Sequence, residues 1–230
     1  MSQTPVPHVG FPLSAALQGK SNRFLEAVAG NDKRAGELYY DVIIQLSDEV
    51  LDALLMQTLA NANLSPVAMK VVNMCATTCS KASSMLSAKI YKGAKLAEMQ
   101  QVANFWQGLI KSDKPGHDAN WYLASPLQPP LAAALDALLA EKGDRPDFVP
   151  ADIEDMATKY DQLMNVIIDQ FFLGPAAFVD MGIVTRKMLN LGVEGVKQAS
   201  HAVIHKVVKK LEPAALGAYV DHTSQYYLKL

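Results

Sequence analysis

Apolar positions recur at helical spacing along most of this chain. Between residues 33 and 61, Leu38, Val42, Ile43, Leu46, Val50, Leu54 and Leu59 cover an arc so broad that several neighbours must bury it. A shorter helix is predicted over 21–29, with Ser21 as its cap. Ser65-Pro66 then restarts the chain, since serine accepts orphan amide bonds and proline at the first helical position loses none. The pattern continues through Val67, Val71, Val72, Cys75, Cys79, Leu86 and Ile90, and past Gly93 to Leu109 as one long helix bent at the glycine.

The main break spans residues 112–130, with four prolines and many turn formers. A helix over 131–141 ends at Gly143. Another starts within 147–155, where Asp152, Glu154 and Asp155 suit the positive helix end, and runs to Phe172. Gly174-Pro175 stops or kinks it. A further helix reaches Leu211, and Pro213 and Gly217 set off a last segment ending in Tyr226 and Tyr227. Period-2 alternation never persists between turn signals, so no strand is predicted. The expected fold is all-α: an elongated antiparallel bundle of long amphipathic helices with one Pro-rich crossover loop. Residues 1–20 read as an extended arm. Residues 21–230 read as a single helical domain that loop 112–130 divides into two helical halves.

Composition narrows the class. Half of the 230 residues are hydrophobic, enough for a substantial core, and aromatics are only 7%, a mix that favours helices. Two cysteines are too few for a disulfide framework. The first residues lack a basic start and an unbroken apolar run, so the expected location is cytoplasmic. The nearest approach to a membrane span, 163–184, is interrupted by Asp169, Pro175 and Asp180 and reads as a packed helix.

Charge adds one strong asymmetry. Residues 186–210 carry six Lys or Arg against Glu194 alone, a balance of +5 in a chain whose total is −2. At about 100° per residue, Leu189, Val193, Val196, Val203, Ile204, Val207 and Leu211 share one arc of that helix. Lys187, Glu194, His201 and His205 point away from it, toward solvent or a partner. Gly192 and Gly195 soften the helix or allow close packing, since each costs about 1 kcal/mol relative to Ala.

Candidate chemistry is sparse. His201 and His205 have the i, i+4 spacing of a zinc-protease histidine pair, with Glu194 on the same face. No glutamate lies between them, and a third ligand has to come from another helix. Cys75 and Cys79 share the apolar face of their helix and read as inert buried thiols. His117 lies beside Asp118 in the crossover loop, where Trp121 and Tyr122 are expected to pin that loop by burial. No phosphate-binding glycine motif, nucleophile elbow or H-E-x-x-H is present, so no catalytic residue and no cofactor are assigned.

These features favour binding over catalysis. The expected function is a helical scaffold or adaptor whose basic helix contacts a protein partner, a second copy of the chain, or an anionic membrane or inclusion surface. Arg186, Lys187, Lys197, His201, His205, Lys206, Lys209 and Lys210 would make that contact. Such a protein would be peripheral to the surface it binds. The local charge, the lack of interleaved aromatics and a pI of 6.2 argue against nucleic acid. The alternative is a helical enzyme or sensor that binds a small molecule or metal in an interhelical pocket. The texture of long Ala/Leu/Val-rich amphipathic helices without a catalytic motif is similar to that of granule-coating phasins, a likeness of composition only.

Overall fold

Several helices begin where a side chain takes up orphan amides. Ser14 Oγ accepts the Leu17 amide at 3.0 Å and opens α1 (Ala15–Ala29). Ser65 Oγ accepts that of Ala68 at 3.2 Å, with Pro66 first in α3 (Pro66–Tyr91). Asp152 Oδ1 accepts the Glu154 and Asp155 amides at 2.9 and 3.0 Å, opening α6 (Ile153–Ile167). The other helices are α2 (Ala35–Leu51), α4 (Leu96–Leu109), α5 (Pro129–Lys142), α7 (Ile183–Lys206) and α8 (Pro213–Ser224). The computed structural model describes residues 5–59, 62, 64–114, 119–143 and 148–230. Among them the chain forms eight helices and a small four-stranded sheet, an all-α bundle in class.

The expected boundaries shift in three places. The first helix is capped by Ser14, not Ser21, which is buried and accepts a 3.2 Å hydrogen bond from Trp106 Nε1. The long helix past Gly93 is two helices, because the Glu98 carboxylate accepts the Lys95 amide at 2.7 Å and starts α4 afresh. The basic helix ends at Lys206 and tightens into a 3-10 turn over Val208–Lys210. Two helices also widen: α2 passes through a π-helical stretch at Asp52–Met56, and α6 through another at Ile168–Leu173.

Strands appear where none was predicted. β1 (Pro7–Pro12), β2 (Ile110–Ser112), β3 (Trp121–Pro126) and β4 (Tyr227–Lys229) form an antiparallel sheet in the order β2-β3-β1-β4. The supposed arm is thus a central strand, with His8 opposite Pro126 on one side and Leu228 on the other. The crossover segment contributes an ordered strand, and Trp121 is 45% exposed rather than a buried anchor. His117 and Asp118 lie outside the described residues.

Among the described residues two apolar cores result. The larger joins the sheet to α1, α2 and α4 around Trp106, which meets the Tyr39 ring edge-on at 5.7 Å; Tyr39 in turn packs on Phe24 and Tyr91. α2 and α3 cross so tightly at Gly36 that a Cβ there would strike the Tyr91 carbonyl. The smaller core joins α5, α6 and α8 to the C-terminal turns of α7, around Phe148, Tyr160 and Val208. Residues 183–199 of α7 are all half-buried or exposed, so the first two-thirds of that helix joins neither core centre. Among the described residues no helix is long and apolar enough to cross a membrane.

Candidate functional site

The apolar arc expected on the basic helix faces inward: Val203, Ile204 and Val207 join the smaller core, and the residues before them border a partly open cavity. α2, α3, α6 and α7 surround a cavity of about 120 Å³, to which α7 contributes Leu189, Val193, Val196 and Val203. Leu54 and Leu55 from one π stretch and Ile168 and Phe172 from the other line the opposite side. π turns add a residue to the helical repeat and turn side chains out of register, and they concentrate at functional sites. α3 supplies Ala82 and Leu86 and runs antiparallel to α7. Their approach is close: a Cβ at Gly192 would lie 2.5 Å from Leu86 Cδ1, which explains that glycine. Gly195 meets nothing within 4 Å, and nothing in the structure explains it.

Few polar groups belong to the cavity wall. Ser83 and Tyr91 are among them, and the hydroxyl oxygen of each is buried without a hydrogen-bond partner. Burial pushes the Tyr91 phenol well above its usual range, so it stays neutral. Cys75 and Cys79 also line the cavity as free thiols, with sulfurs 4.0 Å apart. Their shared hydrogen bond pulls the Cys75 pKa down and pushes that of Cys79 up. Burial raises Cys79 further, keeping it a protonated, unreactive thiol.

The opposite flank of α7 forms a polar seam with α6. Lys197 Nζ lies 2.9 Å from Asp169 Oδ1, and Lys209 pairs with Glu154. Between those ion pairs, His201 Nδ1 and His205 Nε2 converge on one oxygen, Asp161 Oδ2, at 2.8 and 2.7 Å. The two imidazoles stack with centroids 4.0 Å apart and planes at 27°. His205 Nδ1 faces Glu154 Oε2 at 4.0 Å. The side chains of His201 and His205 are 60% and 23% exposed, so the second is largely enclosed between the helices.

This geometry redistributes the residues singled out from the sequence. Lys197, Lys209, His201 and His205 meet carboxylates of α6, His201 as an exposed residue and His205 largely enclosed. Arg186, Lys187, Lys206 and Lys210 are exposed. Glu194 does not converge on the histidine nitrogens; it accepts a 3.0 Å hydrogen bond from Gln198. Asp161 takes that place, and sequence reasoning missed it because it lies 40 residues from His201. A signal was present: Glu154, Asp161 and Asp169 repeat at seven and eight residues, an acidic stripe complementary to Lys209, His205, His201 and Lys197 at steps of four. Comparison with protein-family models, curated proteins and solved structures finds no match.

Proposed function

We propose that this protein binds a small, largely apolar molecule in the cavity between α2, α3, α6 and α7. The observation that carries the reading is a void of about 120 Å³ that includes two residues with unpartnered buried hydroxyls, Ser83 and Tyr91. Protein interiors pack densely, and voids of this size are few. The cavity is partly open to the surface, so its apolar wall forgoes burial when no ligand covers it. A ligand with an alkyl or aromatic body recovers that loss, and an apolar void of about 150 Å³ is known to admit benzene. One hydrogen-bonding group on the ligand would answer an unpaired hydroxyl, whose burial alone costs about 1–3 kcal/mol.

Saturation-transfer NMR with toluene and with hexanoate tests this directly. Saturable binding is expected in the native chain and should vanish in Ala82→Phe, where the new ring occupies the void while the fold is kept. Binding of neither probe, or equal binding in Ala82→Phe, contradicts the reading.

A second reading is favoured by the outer side of α7. Ile183, Val184 and Leu191 are exposed there, in the same stretch as exposed Arg186 and Lys187. Apolar and cationic groups together suit an anionic lipid surface. Co-sedimentation with vesicles containing phosphatidylglycerol should then weaken with salt and in Arg186→Gln/Lys187→Gln. Equal recovery on neutral and anionic vesicles contradicts it.

A further inference from the structure

We propose that Asp161, His201 and His205 form a zinc-class divalent-cation site that bridges α6 and α7. The proposal stands apart from the cavity reading and rests on different atoms. Each residue offers one ligand atom, and these three atoms lie within 4.8 Å of one another. The donor set is two imidazole nitrogens and one carboxylate oxygen, which suits zinc and its first-row neighbours and is a poor match for magnesium or calcium. His201 and His205 lie one helical turn apart on α7, so one ion can engage both, while α6 brings the anionic ligand from the other side.

The geometry is convergent before any ion arrives. Both ring nitrogens aim at Asp161 Oδ2, at 2.8 and 2.7 Å. A cation bound at about 2.0–2.2 Å from each ligand would replace those two hydrogen bonds. Each neutral imidazole would then present its Asp161-facing nitrogen to the metal as a lone pair, in the tautomer whose N–H sits on the opposite ring nitrogen. The tautomer left on His205 would carry its proton on Nδ1, facing Glu154 Oε2 at 4.0 Å.

The lysines at either end of the polar seam, Lys197 and Lys209, have carboxylate partners of their own. Lys197 is paired with Asp169 and Lys209 with Glu154, which leaves the charge of Asp161 to the site. Three protein ligands leave at least one position open. Asp161 and His201 border a cleft between α6 and α7 that also includes Asn165, Glu194 and Gln198. Water or an oxygen ligand can complete the coordination from there.

Calorimetric titration of the chelator-treated 230-residue chain with zinc chloride tests the assignment. About one Zn²⁺ per chain is expected, with a rise in Tm that magnesium chloride at the same concentration does not produce. His201→Ala and Asp161→Asn should each weaken zinc binding about tenfold or more. His201 is 60% exposed, so its truncation leaves the packing in place, as near-UV circular dichroism on the variant checks. Cys75→Ser/Cys79→Ser should bind zinc as the native chain does. Substoichiometric zinc, affinity unchanged in both ligand variants, or zinc lost only in the cysteine variant overturns the proposal.

Discussion

The side of the molecule built on α2 and the side covered by α7 both use amphipathic helices, one acidic and one basic, and pack them very differently. α2 buries eight of its 17 residues, chiefly against α1 and α3, whereas α7 buries three of its 24. α2 sits in an aromatic cluster of Phe24, Tyr39, Tyr91 and Trp106, all fully or almost fully enclosed. α7 borders a partly open cavity with most of its apolar arc and an acidic helix with its polar flank. The difference teaches that apolar periodicity reports which face turns inward and says little about how densely that face is met. One inward face makes a core, the other the wall of a cavity.

The largest effect should come from the dense side. Trp106→Ala removes the centre of the aromatic cluster and the hydrogen bond to Ser21, and should lower unfolding free energy by about 3–5 kcal/mol in urea denaturation. The comparison sharpens with one substitution placed on each side. Ala103→Phe in the dense core should destabilise by about 1–3 kcal/mol through overpacking. Ala82→Phe at the cavity should raise stability by about 1 kcal/mol. Equal losses from both would abolish the distinction.

Smaller effects follow in the second core and on the surface. Tyr160 Oη and Thr223 Oγ1 lie 2.8 Å apart in a buried hydrogen bond, so Tyr160→Phe should cost about 1 kcal/mol by the same denaturation assay. Lys197→Ala breaks an ion pair that is partly open to water, with side chains 30% and 46% exposed. It should change stability by less than about 1 kcal/mol, and the change should shrink at high salt.

The helices were legible because each carries a local signal: an apolar period, a serine or aspartate cap, a proline at the first turn. The strands were not. β1 is bounded by Pro7 and Pro12, and its partners begin more than a hundred residues away, so no hairpin turn announces it. The π stretches escaped because Asp52–Met56 and Ile168–Leu173 read as ordinary helix by composition. Of the polar seam, the His201/His205 spacing was visible and its carboxylate was not. Asp161 belongs to a different helix, and only the antiparallel docking of α6 on α7 brings it there.

Hydrogen–deuterium exchange resolved by peptide mass spectrometry tests the central claim most directly. Amides of residues 183–199 in α7 should exchange far faster than those of α2 and α4, and should slow when toluene or hexanoate occupies the cavity. Uniform protection of α2, α4 and α7, unaffected by either probe, would contradict a sparsely packed cover over a ligand cavity.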